Sequence, residues 1–253
     1  MAISIADCRA FYRTYYAPNN ATLVIAGDVD EREVLAEVQA KYGRIPAQEI
    51  PRDSSAPEPV QTAERRASWK KPVTADKLRM GYKSPPLGHA DYLSLEVLSE
   101  ILFGGKSSRL EKLLVADLEI ASSTSAALSP FKDPGLYEVA VSMQRGHVAA
   151  EAEKLISEEF ARVQREALKP GELDTAKTRL LTRLWRELRT LGGRAEALGH
   201  YHTTIGDFRR VFEVADVVQA CTEADVQRVA REYLRVERRT IVVAEPDGEE
   251  VDE

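Results

Sequence analysis

The order of predicted elements along the chain indicates an α+β fold, in which a helical layer covers one sheet that is rich in antiparallel strands. Two pairs of predicted strands come first, between residues 65 and 142. A long run from Val148 to Leu234 then has the apolar spacing of helices almost throughout, and one last strand follows at Thr240–Ala244. Strands and helices that are segregated in this way, rather than alternating, are typical of α+β proteins.

The first 42 residues predict a helix, a strand and a second helix. Ser4 can cap a helix that runs to Tyr16, and a second helix begins at Asp30. Between them the short β-branched run Thr22–Ala26 predicts a strand. Four of the 12 prolines then fall between residues 43 and 63, so this segment is predicted to be a proline-rich linker.

Residues 64–253 are predicted to form one complete α+β domain. Its earlier strands are expected at Arg65–Lys70, Lys77–Lys83, Ile120–Leu128 and Leu136–Ser142. Helices are expected from Ala90 to Phe103 and from Ser107 onward, because Gly104 and Gly105 interrupt the apolar pattern. Within the long helical run, breaks are expected at Lys169–Gly171, Gly192–Gly193 and Gly206–Asp207.

Composition excludes several classes of protein. The chain carries 35 Lys and Arg against 41 Asp and Glu, a net charge of −6, so a nucleic-acid partner is not expected. No apolar run approaches the roughly 20 residues of a membrane span. The four histidines fit neither H-E-x-x-H nor H-x-x-E-H, so no metal ligands are predicted in this chain. Cys8 and Cys221 belong to no C-x-x-C pair and are expected to be two buried thiols.

The chain contains an internal repeat. Residues 4–26 align without a gap with residues 222–244, at an offset of 218 positions, and seven residues coincide. The helix caps Ser4 and Thr222 also match in role. Residues 1–42 therefore look like the tail of a first homologous domain, followed by a whole second one. Such a tail cannot bury its own faces, so it is expected to pack on the second domain or on a first domain.

Four segments carry a family pattern. They are Phe11–Ala21 running into Val24–Asp28, the Gly-Gly-Lys-Ser-Ser-Arg-Leu block within Ile101–Leu110, Gly192–Leu198, and Thr222–Pro246. Together they resemble the pitrilysin and insulinase type of zinc metallopeptidase, the inverzincins, which include the mitochondrial processing peptidase and the core subunits of the cytochrome b-c complex. The resemblance implies the metallopeptidase fold that LuxS and the processing peptidases share, with two homologous domains.

The resemblance also implies where zinc belongs. In that family the first domain holds zinc through H-x-x-E-H, which is absent here, so zinc is expected in a parent enzyme or partner and none in this chain. The implied function is a C-terminal, zinc-free portion that encloses peptide substrate and supports a zinc-bearing half, upstream or in a partner subunit. The alternative is a non-catalytic structural or accessory subunit like the core proteins. The chain alone is predicted to be inactive, and a dimer in the cytoplasm or periplasm is expected.

Candidate residues for substrate binding follow from the same resemblance. The family's arginine and tyrosine, which bind the peptide backbone, fall on Val115 and Ser122, and Glu119 replaces a usual glycine. No catalytic residue is predicted. The candidates for contact with peptide are Ser122, Arg109 of the Ser-Ser-Arg-Leu block, and Arg183 and Arg186, which are predicted to share a helix face. That face is either solvated surface or the wall of a peptide-holding chamber.

Overall fold

A computed structural model describes residues 3–51, 56 and 58–247, and the chain divides into two compact units. The first unit is Met1–Pro59 together with Arg186–Val211. The second unit is Val60–Trp185 together with Phe212–Glu253. The predicted division at residues 42 and 63 stays a prediction.

A five-stranded sheet forms the centre of the second unit. Its strands are β1 (Arg65–Lys71), β2 (Lys77–Ser84), β3 (Ala121–Leu128), β4 (Gly135–Met143) and β5 (Arg239–Pro246). They lie in the order β1-β5-β2-β4-β3, with β1 parallel to β5 and every other neighbouring pair antiparallel. The prediction of an antiparallel-rich α+β sheet is confirmed.

The helices also follow the predicted pattern closely. In chain order the described helices are α1 (Ile5–Tyr15), α2 (Glu31–Tyr42), α3 (Tyr92–Phe103), α4 (Arg109–Glu111), α5 (Ala149–Val163), α6 (Glu172–Leu188), α7 (Leu191–Ile205), α8 (Arg210–Ala220) and α9 (Glu223–Tyr233). A π-helical turn, Lys112–Asp117, continues α4. Among the described residues, no helix has the length and apolarity needed to cross a membrane.

The core of the second unit lies between one face of the sheet and helices α3, α5 and α9. Along β2, Leu78, Met80 and Tyr82 are buried, and the residues between them lie on the other face. Helix α3 is apolar on most of its circumference, and it packs against α9 and β3. Helix α5 packs against β2 and β4. The helical layer therefore covers one face of the sheet, as in a two-layer α/β arrangement.

Two local predictions are wrong. Thr22–Ala26 forms no strand, because no described strand of the first unit lies beside it. Gly192 and Gly193 do not break a helix, because α7 already begins at Leu191 and contains both. Its cap is Thr190, whose side-chain oxygen accepts a hydrogen bond from the Gly193 N–H at 3.0 Å.

Helix α1 of the first unit keeps its apolar side chains on the surface. Helix α1 has no buried residue. Phe11 stacks on Tyr15, and Tyr12 stacks on Tyr16, with ring centroids 4.7 and 4.5 Å apart. Such pairs at i and i+4 stabilise a helix but do not remove the rings from water. Exposed aromatic residues of this kind indicate a surface that another element covers.

Candidate functional site

The predicted candidate Arg109 lies in a nearly buried ion cluster. Its Nε donates to Glu172 Oε1 at 2.9 Å, and its Nη1 donates to Glu159 Oε1 at 2.8 Å. Only 9% of the Arg109 side chain is exposed. Because two carboxylates occupy its guanidinium, the geometry favours a role in joining α4, α5 and α6. Its predicted contact with peptide stays a prediction.

The pKa shifts within this cluster show which interactions stabilise it. Burial would lower the pKa of Arg109, but hydrogen bonds to the carboxylates of Glu172 and Glu159 outweigh burial and raise it. Burial would likewise raise the pKa of Glu172, but Arg109 and the Lys169 backbone N–H hold it below its ordinary value. Arg109 and Glu172 are therefore charged at neutral pH, and each compensates the burial of the other.

Ser122 lies on the exposed side of an edge strand. The register of β3 against β4 shifts between Ala121 and Ser123, so Ser122 is the extra residue of a β-bulge. Its Oγ donates to the Ser142 carbonyl at 3.2 Å. The bulge leaves Ser122 exposed to solvent. A contact between its hydroxyl and a peptide is geometrically open and stays a prediction.

The arginines of α6 divide into bound and exposed groups. Arg179 donates to the Gly104 carbonyl and, at 2.9 Å, to Ser107 Oγ, which fixes the glycine-rich block against α6. Arg183 pairs with the buried Glu100, although most of its side chain is exposed. Arg186 is exposed. Arg183 and Arg186 lie about one turn apart on the helix, and their predicted contact with peptide stays a prediction.

The donor groups in the described part of the chain do not fit a zinc site. Among the described residues, no three His, Cys, Asp or Glu side chains lie close enough together to hold a metal ion. The His89 Nδ1 accepts a hydrogen bond from the Asp91 N–H at 3.1 Å. The His147 Nδ1 lies 3.2 Å from the Glu151 carboxylate. These two rings interact with residues at the starts of helices and do not converge on a common metal site.

The internal repeat extends to the secondary structure. Helices α1 and α9 have the same bounds at the offset of 218 positions. The 3-10 turns that follow them, Pro18–Asn20 and Val236–Arg238, also coincide at that offset. Each helix begins with a capping box, in which a hydroxyl donates to the aspartate carboxylate at 2.6 Å, from Ser4 to Asp7 and from Thr222 to Asp225. The helix and the turn that follows it are therefore copies in structure as well as in sequence.

Positions that are buried in the second copy are exposed in the first. The pairs are Cys8 with Val226, Phe11 with Val229, Tyr12 with Ala230, Tyr16 with Leu234, and Leu23 with Ile241. The exposed members are called the repeat face below. Cys8 is thus exposed, and the prediction that it is buried is wrong, whereas Cys221 is buried as predicted. The repeat face is therefore exposed in the described part of the chain.

The sequence reasoning missed a row of cations on the open face of the sheet. Lys77, Arg79 and Lys83 alternate with the buried residues of β2, and Arg65 of β1 lies near the same level. The signal was present in Lys77–Lys83, where basic residues recur at every second position except at Gly81. The alternation predicts a strand, and the same pattern also indicates that one face of this strand is positively charged.

An antiparallel-rich α+β domain whose last helix is repeated near the start of the chain is the arrangement expected of the metallopeptidases that the sequence resembles. Residues 2–180 match the family described as Peptidase M16 inactive domain. The chain therefore belongs to the peptidase M16 family.

Known relatives agree with this assignment. The chain is 27% identical to the zinc protease PqqE of Helicobacter pylori over 254 residues, covering 96% of this chain and 55% of that protein. It is 24% identical to the beta subunit of the mitochondrial-processing peptidase of Blastocladiella emersonii, covering 96% of this chain and 53% of that subunit. A crystal structure of a Helicobacter pylori protease has the same fold, with a TM-score of 0.87, 24% identity, and coverage of 96% of this chain and 60% of that one. The chain spans about half the length of the curated relatives it matches.

Proposed function

We propose that this chain is the zinc-free C-terminal portion of a zinc metallopeptidase, which encloses peptide substrate and supports a zinc-bearing half. That half lies upstream in the same protein or in a partner subunit. The observation that carries the proposal is the repeat face, whose side chains are exposed at positions that are buried in the second copy. The family match supports it, since the matched family is an inactive domain.

The second copy shows what the repeat face lacks. Helix α9 packs against α3, and β5 lies between β1 and β2. In the first copy, a partner that supplies one helix and two strands would cover Phe11 and give Leu23 a place within a sheet. Covering such a side chain contributes about 1.5–3 kcal/mol each. The occupant that fits is therefore a domain homologous to the second unit.

Peptide enclosure is the second part of the proposal. Among the predicted candidates, Arg183 and Arg186 have largely exposed side chains. The guanidinium of Arg109, in contrast, is occupied by two carboxylates. Ser122 at the β3 edge adds an exposed hydroxyl. In this function the chain binds and orients peptide. The hydrolytic chemistry belongs to the zinc-bearing half, whose metal polarises a carbonyl and activates water when it is bound.

The experiment measures association with a zinc-bearing half. The chain is co-expressed with the H-x-x-E-H domain encoded immediately upstream or by the neighbouring gene, and co-purification is measured. Phe11→Glu should abolish association, since it places a charge within the covered surface. Ala6→Glu is the matched control, because it adds the same charge where the second copy has the exposed Ala224. Equal co-purification of Phe11→Glu and the wild-type chain would contradict the proposal.

A second candidate function is that of a non-catalytic accessory subunit. One relative is a subunit of a processing peptidase, which favours a role in an assembly of several chains. One assay distinguishes the two functions. The purified complex should cleave peptides in a chelator-sensitive manner if the partner is a peptidase. A stable complex without chelator-sensitive cleavage would favour the accessory subunit.

A further inference from the structure

The open face of the sheet in the second unit carries a concave pocket of about 220 Å³. Its floor lies at Gly81 of β2, which pairs with Glu138 of β4 on one side and Thr240 of β5 on the other. A Cβ added at Gly81 would make ordinary contacts, with Leu136 at 3.8 Å and with the Thr240 carbonyl oxygen at 4.0 Å. Packing therefore does not require glycine here, but the missing side chain leaves the floor of the pocket free.

Four cationic side chains line this pocket against one acid. They are Arg65, Arg79, Lys83 and Arg238, and the acid is Glu138. Arg79 donates to Glu138 at 2.8 Å, and Arg238 pairs at 3.2 Å with Glu232, which does not line the pocket. In the described part of the chain, no ion pair is found for Arg65. Cations therefore outnumber acids among the lining residues, in a chain whose net charge is −6.

The rim of the pocket is held in place by a buried amide. Gln61 is 8% exposed, and its Nε2 donates to the carbonyls of Arg239 at 2.6 Å and Ala63 at 2.9 Å. Its Oε1 accepts from Thr240 Oγ1 at 3.4 Å. The floor is strand backbone within a five-stranded sheet. Such a pocket needs little reordering to bind a ligand.

We propose that this pocket binds the carboxylate of an acidic side chain in the peptide substrate. Guanidinium groups bind carboxylates in bidentate geometry, and two such groups, Arg65 and Arg79, enter from β1 and β2. The pocket is smaller than the ~300 Å³ at which small-molecule sites begin, so it suits one side chain rather than a whole ligand. The proposal rests on the proposed function, because that function brings peptide to this chain.

The test measures peptide binding to the chain itself by fluorescence anisotropy at low salt. Two short labelled peptides are compared, both amidated at the C-terminus, one with adjacent glutamates and the other with glutamines in their place. The glutamate peptide should bind about fivefold more tightly or better for each charge pair formed, and added salt should remove the difference. Amidation leaves side chains as the only carboxylates.

Variants locate the binding. Arg65→Gln combined with Arg79→Gln should reduce binding of the glutamate peptide to the level of the glutamine peptide. Lys70→Gln is the matched control, since Lys70 is an exposed cation of β1 whose side chain lies on the opposite face from Arg65. Thermal unfolding verifies that each variant is folded.

Two outcomes would overturn the proposal. One is equal binding of the glutamate and glutamine peptides. The other is an equal loss of binding in the control and the double variant. Neither outcome depends on Phe11, so a failure of this pocket is distinguishable from a failure of the repeat face to bind a zinc-bearing half.

Discussion

Phe11 and Val229 occupy equivalent positions of the repeated helix, yet Phe11 is 59% exposed and Val229 has no exposed surface. The local structure of the two copies is the same, down to the capping boxes at Ser4 and Thr222. The difference lies in what surrounds them. Val229 belongs to a helix that packs on α3, and Phe11 belongs to a helix without any buried residue.

This difference predicts opposite costs for equivalent truncations. Val229→Ala should lower the free energy of unfolding by about 2 kcal/mol, because it removes buried methyl groups and leaves a cavity. Phe11→Ala should change it by less than about 0.5 kcal/mol in the isolated chain. Urea unfolding followed by circular dichroism measures both. A similar loss in both variants would show that Phe11 is covered in the chain alone.

The two cysteines should report on the same difference. Cys8 is exposed, whereas burial raises the pKa of the Cys221 thiol and shields it from reagent. Iodoacetamide should therefore modify Cys8 in the native chain and Cys221 only after unfolding. When a zinc-bearing half is bound, Cys8 should become protected, since its counterpart Val226 is fully buried. Peptide mass spectrometry measures both sites, and an unchanged rate at Cys8 in the complex would count against coverage of the repeat face.

The Arg109 cluster should be important for stability. Arg109→Met leaves the carboxylates of Glu159 and Glu172 without their main cation, and breaking a buried pair in this way costs about 3–5 kcal/mol. Adding Glu159→Gln and Glu172→Gln to Arg109→Met should recover much of the loss, because the uncompensated charges are removed. Chemical unfolding measures the series. A triple variant no more stable than Arg109→Met would show that packing of the arginine, rather than charge, holds the cluster.

The same cluster predicts a dependence on pH. The pKa of Glu172 is lowered from its ordinary value of 4.5, so its contribution to stability is fully present above pH 4.5 and is lost as the pH falls through the lowered pKa. Glu172→Gln should thus destabilise the chain at neutral pH and converge with the wild type in acid. Thermal unfolding across this pH range measures the difference in stability between Glu172→Gln and the wild type. That difference would be independent of pH if Glu172 titrated alike in the folded and unfolded chain.

Glu119 should be a site of backbone strain. It has a φ of 53°, in the left-handed region, directly after the π-helical turn that ends at Asp117 and its cap at Leu118. Glycine adopts this conformation without steric cost, so Glu119→Gly should be more stable than Glu119→Ala by about 1 kcal/mol. Thermal unfolding of the two variants measures this. The resemblance to the metallopeptidases had already marked position 119 as one where glycine is usual.

The sequence was informative wherever local chemistry decides structure. Ser4 and Thr222 are predicted caps and form capping boxes, and the alternation in β2 places Leu78 and Met80 in the core. The strand predicted at Thr22–Ala26 does not form, and the reason is not local. Its copy, β5, is a strand because β1 and β2 lie on either side of it, and within the described residues of its own unit Thr22–Ala26 has no such neighbours.

The roles of charged side chains were harder to predict. Arg109 was chosen from a family block, but its partners Glu159 and Glu172 lie 50 and 63 positions further along the chain. Nothing in a local pattern indicates that three such residues converge. The pocket over Gly81 is likewise formed by β1, β2, β4 and β5 together, and only the order of the strands reveals it.

The last described strand lies in the interior of its sheet. Strand β5 separates β1 from β2, although β1 and β2 are near neighbours in sequence and β5 follows almost 170 residues after β1. A growing polypeptide therefore cannot complete this sheet until β5 has been synthesised. Pairings of such long sequence separation fold slowly. During translation, the edges of β1 and β2 that face β5 therefore stay without their hydrogen-bonding partner. Premature release or truncation before Arg239 should yield a chain that aggregates rather than a smaller folded domain.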